Sequence, residues 1–427
     1  MTVPLDRTKP AHSVSKATSG NNAIALKCRD CGTEYPLEKQ RLCKVCNGAL
    51  EVIYDFSLLD SKSLIREIEA GPQSMWRYAA LLPARPQAYT LNEVGMTPMH
   101  RAFNLGKRLG LNKLYIKNDA LNPTHSFKDR PVAVAVAKAL ELGADTLACV
   151  STGNLAGSVA AAGARAGLKT YVFVPADIEP GKILMAQIYG ATIVAVNGTF
   201  DQANTLAAQV AEKYGWAFVN ITMRPYYKQG SKTLAFETAE QLGWRLPDHV
   251  LLPVGSGSLY AMTVKGFEEL INLGLVADQT MPRISGAQPE GCNPVAQAYL
   301  SGATQFTPVT QPRTLAYSLA IGNPSDGNFD LKQARRINGM MEQVSDAETI
   351  TAIKLLAATE GIFTEPAGGV TLAGLKKLVE AGKIGKDESV VLYITGNGLK
   401  TQDALEGQMA ENRPVAANLA AFDRWLG

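Results

Sequence analysis

Residues 113–143 read KLYIKNDALNPTHSFKDRPVAVAVAKALELG, and this stretch decides the fold. It opens on an apolar run of strand length from Lys113, crosses a polar loop, and continues as an Ala/Val-rich helical pattern that closes on Gly143, the residue type that ends helices. The same unit recurs down the chain. TLACVST from Thr146, KTYVFVP from Lys169, TIVAVNG from Thr192, HVLLPVG from His249, RISGAQP from Arg283 and SVVLYITG from Ser389 read as strands. Helical stretches such as LAGSVAAAGARAG and DQANTLAAQVAEKYG separate them. This alternation predicts an α/β protein with doubly wound, mostly parallel sheet. Ligands of such sheets bind beyond the carboxyl ends of the strands, so the chemistry is to be sought in the loops that follow them.

The first such loop, Asn122 to Pro131, carries a single Lys. Arg130 precedes a proline and is biased away from helical backbone, so the helix is expected to begin at Pro131 and Lys128 to lie on the loop. An amine beside the positive end of a helix and beside Arg130 has its protonated form disfavoured, which suits it to attack an aldehyde. Read alone, a Lys in such a loop is more often a solvated charge. The second loop, Ser151 to Asn154 (STGN), opens a helix and offers backbone N–H groups to a carboxylate or phosphate, with a plain N-cap as the alternative. The third, Pro253 to Tyr260 (PVGSGSLY), offers a backbone nest and hydroxyls suited to a phosphate monoester. It lacks the third glycine of a dinucleotide fingerprint and the lysine of a Walker loop. The fourth, Ile394 to Thr401 (ITGNGLKT), places Thr395 at a strand end, where its hydroxyl can bond a neutral ring nitrogen; its alternative is a glycine turn.

Cys28, Cys31, Cys43 and Cys46 form two CxxC pairs with Gly32 and Gly48 close behind. This is the pattern of two metal-binding knuckles, and four thiolates leave no open position on zinc, so the site is expected to be structural. So small a segment would draw most of its folding energy from the metal. Cys149 and Cys292 read as ordinary buried thiols. The chain has 42 Lys+Arg against 39 Asp+Glu, with no long single-sign run, which argues against a nucleic-acid partner. No apolar run spans a bilayer and the first residues lack a signal-peptide core, so a cytoplasmic protein without a membrane partner is expected. The organisation expected is a disordered start over 1–22, a Cys-rich zinc-ribbon-like segment over 23–56, and a catalytic region over 57–427 with a smaller lobe inserted at about 130–220.

Taken together and in this order, the four loops resemble those of the fold-type II pyridoxal-phosphate enzymes, and within them the threonine synthase family. The resemblance covers roughly residues 90–405, with SLAIGNP (Ser318 to Pro324), EPAGGVTLAGL (Glu365 to Leu375) and GSKTLAFE (Gly230 to Glu237) as supporting matches. It implies a two-lobed enzyme, commonly a homodimer, in which Lys128 forms the Schiff base with pyridoxal 5′-phosphate and Phe127 lies near the cofactor. Asn154 would bond the cofactor's 3′-hydroxyl, the backbone of Gly255, Ser256, Gly257, Ser258 and Leu259 its phosphate, and Thr395 its pyridine nitrogen. The reaction implied takes O-phospho-L-homoserine and water to L-threonine and phosphate. The substrate carboxylate would then sit on the N–H groups of Ser151, Thr152 and Asn154, and Arg224 and Lys232 would meet its phosphate. The sequence departs from the commonest family form at His125 and Pro131, where Gly is usual, and His125 could contact the substrate. Alternatives that keep the cofactor are β-replacement on O-phosphoserine, as in cysteate or cysteine synthases, and dehydration of threonine or serine. A non-enzymatic zinc ribbon on a metabolite-sensing domain is opposed by Asp30, Glu34, Glu38 and Glu51 in the Cys segment.

Overall fold

Every apolar run singled out above forms a strand. The computed structural model describes residues 22–409 and 413–426, so the expected disordered start lies almost wholly outside the described residues. Strands β1 (Ala23–Cys28), β2 (Glu34–Tyr35) and β3 (Leu50–Tyr54) make a small antiparallel sheet that carries the Cys pairs. Then follow β4 (Met99–Arg101), β5 (Lys113–Asn118), β6 (Thr146–Val150), β7 (Lys169–Pro175), β8 (Thr192–Val196) and β9 (Ala217–Phe218). The last four are β10 (His249–Pro253), β11 (Arg283–Pro289), β12 (Met341–Val344) and β13 (Ser389–Ile394).

These assemble into two sheets, of six strands in the order β12-β11-β10-β13-β5-β4 and of four strands in the order β8-β7-β6-β9. All pairings within them are parallel except β4 with β5. β6 and β10 are buried along their whole length, as parallel strands covered by helices on both faces must be. In sequence they read as unbroken apolar runs rather than alternating ones. Among the described residues no helix is long and apolar enough to cross a membrane.

The helix after the Lys128 loop spans Asp129–Glu141, two residues earlier than Pro131 suggested, and Lys128 is its N-cap. Proline at the third helical position donates no bond that the helix needs, and the restriction on Arg130 is overcome by what surrounds it. Asp129 accepts from Thr124 N (2.6 Å), Thr124 Oγ1 (2.5 Å) and Ser158 Oγ (2.6 Å). Arg130 turns into the core instead of crowding the amine. Its guanidinium meets Asp119 at 2.7 and 2.8 Å and Glu237 at 2.5 and 2.7 Å, and Lys117 adds a 2.7 Å bond to Glu237. Val132 to Ala139 are all buried, because the helix packs against its neighbour Arg224–Ser231. A Cβ on Gly230 would lie 2.2 Å from the Arg130 carbonyl oxygen, so that crossing is open only to glycine.

Candidate active site

The Lys128 loop and the loop after β13 are zipped together. Phe127 N donates to Thr395 O (2.9 Å), Asn397 N to His125 O (3.1 Å), and Ser126 bridges to Gly396. Lys400 Nζ adds a bond to Thr124 O at 2.8 Å. His125 sits at φ 61°, a left-handed backbone that costs a residue with a Cβ and that glycine adopts freely. That is the physical reason a glycine suits this position.

Lys128 Nζ lies 4.7 Å from the Phe127 ring centroid and 6.0 Å from that of Tyr227. Among the described residues it makes no hydrogen bond and no ion pair within 4.0 Å, although its charge reaches the Glu365 carboxyl. In contrast, Lys117, Lys228 and Lys232 are all buried and ion-paired. Tyr227 is 5% exposed and its hydroxyl likewise has no partner among the described residues. Sequence reading missed it, since a tyrosine in a helix reads as core.

The end of β6 leads through Ser151 to Asn154 into the helix Asn154–Ala166. Ser151 N–H is already committed to Phe173 O at 3.3 Å and its hydroxyl accepts from Gly153 N; Thr152 and Asn154 N–H are unpartnered among the described residues. Asn154 Nδ2 donates to Glu365 Oε2 at 2.8 Å. Glu365 is 3% exposed, and the Thr395 side chain is close enough to favour its charged form. Burial raises its pKa, against the opposing pull of Asn154, Lys400, Lys128 and Thr395. In the sequence Glu365 stands out only as the first residue of EPAGGVTLAGL. The signal that could have revealed it is its place just before a helix-opening proline, the N-cap of Pro366–Glu380.

The loop after β10 is a cradle of free donors. The backbone N–H groups of Gly255, Ser256, Gly257, Ser258 and Leu259 have no hydrogen-bond partner among the described residues. Gly257 lies at φ 89° at the N-cap of the helix Ser258–Asn272. Orphaned N–H groups at a helix start bind an anion. The cradle, the partner-free amine, Asn154 and the Thr395 hydroxyl therefore fit pyridoxal phosphate in charge and chemistry. Arg224 stands beside the cradle, donating to Ser258 Oγ (3.3 Å), Asp326 Oδ2 (3.2 Å) and Ser325, with a quarter of its side chain exposed. Lys232 is elsewhere: fully buried, 2.8 Å from Glu269 and under the Tyr54 ring at 4.2 Å. Burial, only partly offset by Glu269, lowers its pKa to about 8.

Away from the cleft, the four Cys Sγ atoms lie within 4.8 Å of one another, the Cys28–Cys46 and Cys31–Cys43 pairs at 3.5 Å, with no disulfide. A tetrahedral zinc with sulfur at about 2.3 Å needs S···S separations near 3.8 Å, so the set fits. The two knuckles differ from expectation in one respect. Gly32 supplies the left-handed turn of the first (φ 75°), but Asn47 (φ 57°), not Gly48, supplies that of the second. Gly48 is required for closeness, since a Cβ there would lie 2.8 Å from Cys28 Sγ.

Comparison with known proteins agrees with this geometry. The chain belongs to the pyridoxal-phosphate dependent enzyme family, whose profile matches residues 90–396. Within it, the chain is 39% identical over 399 residues to the threonine synthase of Methanosarcina acetivorans, covering 93% of this chain and 97% of that protein. It is 38% identical over 402 residues to the threonine synthase of Methanocaldococcus jannaschii, covering 94% and 98%. The family within the family is thus that of the threonine synthases. Among solved structures, threonine deaminase isoform 2 of Solanum lycopersicum superposes with a TM-score of 0.62 at 25% identity, over 82% of this chain and 89% of that one. O-ureido-L-serine synthase shares the fold at TM-score 0.62 and 20% identity, over 80% and 99%.

Proposed function

We propose that this chain converts O-phospho-L-homoserine and water to L-threonine and phosphate, using pyridoxal phosphate held on Lys128. The observation that carries the reading is that one helix, Arg224–Ser231, touches both an amine without a hydrogen bond and a cradle of partner-free N–H groups: its Tyr227 ring lies 6.0 Å from Lys128 Nζ, and its Arg224 bonds Ser258 within Gly255–Leu259. When bound, the cofactor supplies an electron sink that acidifies protons at the substrate's Cα and Cβ.

The protein's own groups supply the rest. Gly255 to Leu259 hold the cofactor's phosphate, Asn154 its ring hydroxyl and Thr395 its ring nitrogen. Thr395 is a neutral hydroxyl and does not keep that nitrogen protonated, so the sink is moderate and proton transfers rest on Lys128. Freed by the incoming substrate amine, Lys128 carries protons at Cα and Cβ while phosphate leaves Cγ and water adds at Cβ. Thr152 and Asn154 N–H take the substrate carboxylate, with the Ser151 hydroxyl beside them. Arg224, with its fork partly open, takes the substrate phosphate; Lys232, closed off by Glu269, has no part in it. Phe127 and Tyr227 wall the amine from bulk water. The Cys segment holds a structural zinc.

The test is phosphate release and amino-acid product on O-phospho-L-homoserine and on O-phospho-L-serine in parallel. Threonine from the former and no turnover of the latter is expected. No turnover of phosphohomoserine ends this reading.

A further inference from the structure

The Cys segment reaches the phosphate cradle. Arg29 follows Cys28 directly, and its backbone N–H is fixed to Ala49 O at 2.9 Å within the knuckle pair. Its guanidinium donates to Glu51 at 2.9 and 2.6 Å, lies over the Phe329 ring at 4.0 Å, and donates to Asp326 Oδ1 at 3.1 Å. Asp326 is 2% exposed and ties the cradle down at two points. It accepts from Ser258 Oγ (3.0 Å) through its side chain and donates its own N–H to Ser256 O (3.1 Å). Lys228 (2.7 Å) and Arg224 (3.2 Å) complete its partners.

This arrangement puts a carboxylate beneath a loop built to receive a phosphate. Uncompensated, the carboxylate would repel the ligand; three cations fix it and cancel it. Two of them come from the helix Arg224–Ser231. The third comes from a segment distant in sequence whose fold depends on four thiolates being held together. Asp330, fully buried under Gly257 with neither carboxyl oxygen hydrogen-bonded, has its pKa raised by burial and by Asp326 beside it, which favours its neutral form and leaves Asp326 as the charge to be compensated.

We propose that Arg29 is a positioning residue for the phosphate cradle, and that metal binding at Cys28, Cys31, Cys43 and Cys46 is thermodynamically coupled to cofactor binding at Gly255–Leu259 through the Arg29–Asp326 pair. Without metal the knuckle releases the Arg29 backbone, Asp326 loses one of its three cations, and the cradle both loosens and grows more negative. The coupling is reciprocal, so the cofactor tightens the metal by the same factor. This inference rests on the proposed reading of the cradle as the cofactor's phosphate site.

The test uses the full chain, zinc-loaded or stripped with a chelator under reducing conditions, with metal content measured and pyridoxal phosphate titrated by absorbance. The stripped form is expected to bind the cofactor at least about tenfold more weakly, the scale of one lost charge-assisted hydrogen bond. The cofactor is expected to raise zinc affinity, read by competition with a chromophoric chelator, by the same factor. Arg29→Met is expected to keep its zinc, to bind the cofactor about tenfold more weakly, and to lose the response of that affinity to zinc. A merely structural arginine would leave that response in place. Equal cofactor affinity with and without zinc overturns the coupling and leaves the cofactor reading standing. Absence of cofactor binding in both forms overturns both, and a chain that takes up no zinc overturns the inference. If Arg29→Met does not fold, the reciprocal titration of the parent decides alone.

Discussion

Asn154 and Glu365 are joined across the cleft by a 2.8 Å hydrogen bond, which links the first residue of the helix Asn154–Ala166 to the N-cap of the helix Pro366–Glu380. The Thr395 side chain acts on the same carboxyl, favouring its charged form. A buried acid therefore sits between the two groups proposed to hold the ring hydroxyl and the ring nitrogen of the cofactor.

Glu365→Gln tests what that acid costs and contributes. Burial raises the Glu365 pKa, so its share of stability is fully present below the ordinary carboxyl range and is lost as pH rises through the raised value. Urea unfolding of the cofactor-free protein should show the variant gaining on the parent between pH 5 and pH 8, while turnover falls about tenfold or more. A variant that tracks the parent in stability at both pH values would remove Glu365 from this role.

Gly257→Ala and Gly255→Ala separate the tight point of the cradle from the roomy one. A Cβ on Gly257 would need φ near 89° and would lie 2.2 Å from Asp330 Oδ2, whereas one on Gly255 meets nothing closer than Ser318 O at 3.3 Å. The first change is expected to weaken cofactor binding by tenfold or more and to cost about 1–3 kcal/mol in stability. The second should alter both only slightly. Equal effects would show that backbone conformation at Gly257 is not what shapes the cradle.

Glu237 sets an acid limit on stability. Burial works against its charge, but Arg130 and Lys117 overcome that and hold its pKa at about 2. A depressed carboxyl stabilises the fold above its ordinary pKa and loses that contribution as pH falls toward its folded value. Unfolding free energy should therefore drop between about pH 4.5 and pH 2, by roughly 3 kcal/mol from this group. Glu237→Gln should be strongly destabilised at pH 7 and show a flatter acid limb; an unchanged limb would refute the assignment.

His125→Gly relieves the left-handed residue at the Schiff-base loop. With φ 61° and an exposed side chain, the variant should be more stable by about 0.5–1 kcal/mol. If His125 served as a general base, turnover would instead fall by about a hundredfold.

The parts legible in the sequence were those written in one place. Strand β13 and its ITGNG loop, or β10 and its GSGS loop, announce themselves because an apolar run and its punctuation are contiguous. In the two large sheets the missed strands were short or polar: Met99–Arg101 and Ala217–Phe218 lie at sheet edges, and Met341–Val344 carries Glu and Gln. The early start of the Lys128 helix was hidden because Asp119 and Thr124 in the loop before it, which hold Asp129 and Arg130, act together with Ser158 and Glu237 from two distant parts of the chain. Lys232 misled for the converse reason. Nothing near it in sequence shows that Glu269 neutralises it. Tyr227 and Glu365 enter the site only through the packing of helices against the cleft.

The central claim is that Lys128 carries the cofactor. The direct measurement is borohydride reduction of the protein loaded with pyridoxal phosphate, followed by digestion and mass mapping of the modified lysine. Label confined to the peptide that contains Ser126-Phe127-Lys128, absent from Lys128→Ala, is the expected result. Label on Lys232, Lys400 or any other lysine would contradict it.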